Sequence, residues 1–193
     1  MWRPVIVTTA ATGEPIEAED AIAHVRAQGA GDDVEIAAMV ATARAVVESR
    51  TGTKLFTQTV TLQTDDWADL GALPVAPVQS ITSVTYTDTD GASQTLGGSV
   101  YEARLYGLEP AIVLKYNQTW PTIRQGSQIV VVAVVGYGAA GTQPPETLHA
   151  MRLIVADLYA FRETAQIGSV SGKIPSTATV DALLANHKLA LIV

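Results

Sequence analysis

With 193 residues, 48% of them apolar and only 16% charged, the chain has length for one domain, or one domain with a subdomain, and less charge than a monomer's surface ordinarily uses. A formal net charge of −7 excludes a surface built mainly to grip phosphates, since such surfaces cluster Lys and Arg. The absence of cysteine excludes disulfides and thiolate metal sites.

Some of the apolar surface is therefore expected to meet a partner. Met1-Trp2-Arg3-Pro4 lacks the pattern of a signal peptide. The longest apolar run, Ile129 to Val135, is far short of a membrane span, so a soluble protein with no membrane partner is expected.

Residues 4–8 read as an extended lead-in, followed by a polar loop to Gly13. A first helix is expected over roughly 15–28, with Glu17, Glu19 and Asp20 in its first turn, where carboxylates meet the positive end of the helix dipole. Its apolar face is thin: Ile16, Ala18, Ala21, Ile22 and Val25. Gly29-Ala30-Gly31 should end it, and Asp32 with Glu35 resembles a capping box for a second helix over roughly 33–50. There Ile36, Met39, Val40, Ala43, Val46 and Val47 recur at helical spacing.

Near residue 56 the period falls to two. Phe56–Thr64 and Ile81–Thr87 alternate and are rich in β-branched residues, so both are expected to be strands. Between them Leu73-Pro74-Val75-Ala76-Pro77-Val78 is an extended apolar linker whose prolines forbid a helix. Asp88-Thr89-Asp90-Gly91 is a turn into 93–96, and further strands are expected at 101–105, 111–116 and 128–135. The last, nearly all Val and Ile, is expected in the middle of the β part with both faces covered.

After a loop over Gly136–Gly141, Pro144-Pro145 opens the most hydrophobic helix, to about residue 163, which should be the centre of a bundle. The expected bundle core is Met39, Val40, Val46 and Val47 from the second helix with Met151, Ile154, Leu158 and Phe161 from the third. The stretch from Gly168 to Thr177 reads as a connector, followed by a short helix at about 180–187. The fold class is thus α+β: a small helical bundle, of three main helices plus a short C-terminal one, interrupted by an antiparallel β subdomain. The organisation expected is a bundle over 1–53 and 142–167, a β insert over 54–141 and a C-terminal arm over 168–193.

No motif carries catalytic chemistry. Gly136-Tyr137-Gly138-Ala139-Ala140-Gly141 fits the spacing of a dinucleotide fingerprint. Thr142 to Pro145, however, separates its glycines from the helix, and Glu163 ends a helix where an acid should end a strand. Gly168 to Lys173 is one residue short of a phosphate loop, with Ile174 in place of the magnesium-binding hydroxyl residue. Asp88 to Gly91 lacks the distant Glu of a calcium loop, and Asp65, Asp66 and Asp69 surround Trp67 in a solvated turn. His24, His149 and His187 fall on three helices with no orienting partner nearby in sequence. No catalytic, metal or cofactor residue is assigned, and no enzymatic activity is expected. A chain ending Leu189-Ala190-Leu191-Ile192-Val193 carries apolar surface that should dock somewhere, on a partner or on its own core.

Several segments in order carry a resemblance. They are Pro15–Ala21 with His24-Val25-Arg26, then Ala41–Gly52, Leu73-Pro74, Pro77–Tyr86 into Asp90-Gly91, Val135–Gly138, Pro144-Pro145-Glu146 and Leu158–Glu163. Together they resemble the head–tail connector (adaptor) proteins of long-tailed phages and phage-derived gene transfer agents, in the branch with a β insert. The resemblance implies a virion structural protein that forms a ring, typically dodecameric, between the portal and the next stopper or tail component. DNA would pass through its lumen without sequence-specific binding. It implies residence in the particle neck after assembly in the bacterial cytoplasm, with ring contacts through the bundle. A portal-docking role for the C-terminal segment would fall on Leu183, Leu184, Leu189, Leu191, Ile192 and Val193. The alternative is a β-rich carbohydrate- or peptide-binding module using Trp67, Tyr101, Tyr106, Tyr116 and Trp120.

Overall fold

Where the apolar period changes, so does the structure. A computed structural model describes residues 1–27, 33–161 and 176–189, and it is α+β, with helices and antiparallel sheets as expected. The described residues divide into two compact units. A β unit holds Met1–Thr12, Gly52–Tyr137 and Leu189; a helical unit falls within Gly13–Thr51 and Gly138–Lys188.

In the β unit, β1 (Ile6–Thr9), β2 (Gln58–Thr64), β3 (Val78–Thr87) and β4 (Ser93–Thr95) join a sheet with a strand from much later in the chain. β5 (Tyr101–Arg104) and β6 (Ala111–Leu114) pair only with each other. The late strand, β7 (Ile129–Val135), takes the centre of the order β1-β2-β7-β3-β4. Its central place was expected; covering of both its faces is corrected by the structure. Ile129, Val131, Ala133 and Val135 are buried, while the intervening valines are half-buried, because this antiparallel sheet packs its core on one face. That core joins Val60, Leu62, Leu70, Leu73, Val75, Val84 and Ile112.

The lead-in at 4–8 becomes β1, an edge strand paired antiparallel to β2. The proline linker carries a cis Ala76–Pro77 bond, and Ala76 bridges to Thr53. β3 starts earlier than the alternating pattern implied, and its register against β7 shifts between Val78 and Ser80 and between Ile81 and Ser83. Such bulges break the strict alternation a sequence pattern relies on.

The helical unit contains α1 (Ala18–Val25), α2 (Asp33–Thr51), α3 (Pro145–Ala160) and α4 (Ser176–Leu184), then a 3-10 turn at Ala185–His187. α1 is shorter than expected because Glu17 is still extended and Arg26 turns left-handed, its N–H closing onto Ala23. Gly29-Ala30-Gly31 and Asp32, expected to stop one helix and cap the next, lie outside the described residues. Among the described residues α3 packs against α1, α2 and α4, burying Ala150, Met151 and Val155 with Ile36, Val40, Ala43, Val47, Val180 and Leu184. Of the expected core residues, Val40, Val47 and Met151 are buried and Met39, Val46, Ile154 and Leu158 half-buried. Phe161 is exposed, at 47%: it stands one residue past the last residue of α3, where its backbone has left the helix.

One ion pair stitches the loop before α1 to α2. Arg44 forks onto Glu14 with Nε–Oε2 at 2.6 Å and a second bond at 3.1 Å, and its guanidinium lies 3.7 Å from Glu48 one helical turn on. Replacing Arg44 by Met should take from the Glu14 carboxylate its bidentate partner and cost about 1–3 kcal/mol, read as a lower urea midpoint. An unchanged midpoint would remove the pair from any account of stability.

Gly136, at the exit of β7, has φ +110°, and a methyl there would overlap the Phe56 carbonyl. Its N–H also donates to Pro77 at 2.9 Å. Gly136→Ala should destabilise the protein by about 3 kcal/mol, combining backbone strain with overlap against main chain that cannot move aside. Thermal melts of the two proteins side by side test this.

Candidate functional site

The motifs singled out in the sequence resolve into local structure. In the glycine loop, Gly138 has φ +131° and Gly141 φ +79°, conformations that side chains disfavour. Thr142 Oγ1 and Gln143 Nε2 both donate to the carbonyl of Ala139, at 2.7 and 2.9 Å, so the loop closes on itself before α3 begins at Pro145. The second glycine motif, Gly168 to Lys173, lies outside the described residues.

The acidic turns are equally self-contained. Asp66 accepts from Ala68 N–H and caps a 3-10 turn at Trp67–Gly71; Asp65 lies 3.4 Å from Arg3; Asp69 accepts from Thr64 and from the Met1 ammonium. The ammonium first, then the Thr64 hydroxyl, holds the Asp69 carboxyl below the usual range. Asp88 accepts from Gln94 Nε2 at 2.8 Å and from the N–H groups of Ala92 and Asp90. His187 Nε2 is 3.6 Å from Glu146 Oε2. Among the described residues no group of three or more His, Asp and Glu is arranged to hold a metal ion.

The aromatic residues of the alternative reading divide into two sets. Trp67 and Trp120 stack at 4.8 Å with parallel rings, and Tyr86 meets Trp67 edge-on at 5.5 Å. The Trp67 indole donates to Pro121, and both tryptophans pack on the β-unit core with Tyr101. The stacked tryptophan faces and the Trp67 indole N–H thus hold the segment around Trp120 and Pro121 onto the sheet. Tyr106 and Tyr116, at 83% and 98% exposure, face solvent.

In the β unit, Ile6 and Val7 of β1 are exposed on an outer strand of the sheet. In the helical unit, Val34 at 84% and Phe161 are exposed. Sequence reading took residues 4–8 as an extended lead-in without pairing it, and passed over Val34 because an apolar residue between Asp33 and Glu35 looks like ordinary helix-start composition. Of the tail residues, Leu184 is fully buried within the helical unit, Leu183 and Leu189 are half-buried, and Leu191, Ile192 and Val193 lie outside the described residues.

No family model matches the sequence, and no curated protein matches it. Solved structures do. A chain in the neck of an empty GTA particle, computed with C6 symmetry, superposes with a TM-score of 0.78 at 20% identity, over 99% of this chain and 98% of that one. The two chains share one fold. Similar chains in the virion of a native gene transfer agent (GTA) particle and in a native GTA neck computed with C12 symmetry give 0.77, also at 20% identity and the same coverage. The likeness spans both units, including β1 and the short helices that sequence periodicity marked only faintly.

Asp88 provides a check on the β3–β4 turn. The Gln94 amide, then the backbone N–H groups, pull its carboxyl below the usual carboxylate range. A depressed folded value stabilises the folded state above the unfolded value and loses that stabilisation as pH falls through the folded one. The Asp88 carboxyl signal in an NMR titration should therefore have its midpoint below that of an unperturbed aspartate, and Gln94→Ala should move it upward.

Proposed function

We propose that this chain is a structural, non-enzymatic component of a phage-like or gene-transfer-agent particle neck, an adaptor that assembles as a homo-oligomeric ring. The carrying observation is the shared fold over 99% of the chain with a GTA neck protein. In this reading the ring sits between the portal and the next stopper or tail component, extends the DNA channel and holds twelve copies, in keeping with a neck computed with C12 symmetry. The negative charge of −7 suits a wall past which DNA slides without being gripped. In this reading portal docking falls to Leu189 and the residues after it rather than to Leu183 and Leu184, which belong to a packed helix.

Exposed Val34 and Phe161 are the side chains we assign to contacts between copies, because apolar groups this open gain most from being covered. Val34→Asp and Phe161→Asp should each leave the thermal midpoint of the free chain nearly unchanged, within about 0.5 kcal/mol. Each should abolish ring density under the portal when particles are imaged. Full rings with both variants would remove these residues from the interface. Failure of the unaltered chain to associate with its portal would sink the adaptor reading itself.

A further inference from the structure

β1 is an outer strand of the five-stranded sheet and pairs, among the described residues, with β2 alone. Ile6 and Val7 are 49% and 43% exposed. Consecutive residues of a strand point to opposite faces, so β1 offers apolar side chains to water on both. Edge strands are ordinarily guarded by charged side chains, lysine above all, or by proline within the strand. From Val5 to Gly13 this chain has neither. The one guard in the strand is a bulge between Val7 and Thr9, and it lies beyond Val5-Ile6-Val7. β5, by contrast, carries Glu102 and Arg104, which meet each other at 3.5 Å.

An open edge can take another strand, and the sequence at this one fits itself. Val5-Ile6-Val7 reads the same in both directions. Two copies laid antiparallel about a two-fold axis at Ile6 set Ile6 opposite Ile6, and each Val5 opposite the Val7 of the second copy. Every pair in that register is apolar and β-branched, a combination that stabilises neighbouring strands. No like charges meet there, because the segment carries none. The sheet's opposite edge, β4, presents Ser93, Gln94 and Thr95 and so has no apolar side chain to set against Ile6.

We propose that β1 is a self-pairing edge, through which two copies of the free chain join antiparallel and run their two sheets into one. Main-chain hydrogen bonds between the two β1 strands hold the pair, and Ile6 and Val7 lose their exposure to water. The contact is only a few residues long, so the dimer is weak and exchanging, with a Kd between about 1 μM and 1 mM. A closed ring joins its copies head to tail, whereas this contact is two-fold. The pairing therefore concerns the free chain and does not rest on the neck reading.

Sedimentation equilibrium of the full chain at concentrations up to about 1 mM tests this, with a concentration-dependent dimer expected. Ile6→Lys, which sets two ammonium groups opposite each other, should weaken that dimer at least about tenfold and leave the fold of the monomer intact by circular dichroism. The sequence has no cysteine, so Ile6→Cys gives one thiol per chain. A short bismaleimide should join Ile6→Cys into dimers faster than it joins Thr95→Cys, whose thiol lies on the opposite edge of the sheet. Should Ile6→Lys fail to fold, the comparison of the two cysteine variants decides alone. A chain that stays monomeric throughout, an Ile6→Lys dimer of unchanged affinity, or cross-linking no faster than that of Thr95→Cys would overturn the proposal. Portal binding enters none of these readings, so loss of the adaptor role leaves them standing.

Discussion

β7 is paired along both edges, with each residue from Ile129 to Val135 opposite one of β2 and with β3 through a bulged register. The rest of the β unit depends on that double pairing. A strand so late in the chain can occupy the middle only if the earlier strands leave a gap for it, so the sheet closes when β7 enters between β2 and β3. The same pairing fixes which valines face the core, because a one-residue slip would send Ile129, Val131, Ala133 and Val135 to the other face. Gly136 belongs to this constraint: only a residue without a Cβ can leave β7 so close to the Phe56 main chain.

The helical unit solves a different problem. α1 has eight residues, too few to persist alone in water, and α4 has nine. α3 packs against both of them and against α2, so short helices are stabilised by burial rather than by propensity. The bidentate Arg44–Glu14 pair adds a polar tie between the loop before α1 and α2, with Glu48 as a second carboxylate on the same guanidinium. The burial of Leu184 follows from the same logic, since a nine-residue helix holds its place only if its apolar side chains are inside.

The chemistry-like motifs dissolve on inspection of their partners. The Asp88 carboxylate is spent on Gln94, Ala92 and Asp90, Asp66 on a 3-10 cap, and the glycine loop on its own Ala139 carbonyl. Charged residues make up only 16% of the chain, fewer than a globular surface ordinarily carries.

Periodicity by itself determined the class: a spacing near four over 36–47 and 148–158, and alternation over 56–64, are imposed by which side chains must share a face. It also placed Ile129–Val135 at the centre of the sheet, because a run without charges or polar side chains has no face fit for an edge in water. Tertiary structure decided what periodicity cannot encode. Ile6–Thr9 became a strand only because β2 offered an edge, and β3 began at Val78 because bulges shifted its register. Phe161 lies outside the core although it continues an apolar helix face, since the helix ends before reaching it. Whether an apolar side chain on a periodic face is core or open surface depends on which element lies opposite, and that is set by contacts between residues far apart in the chain.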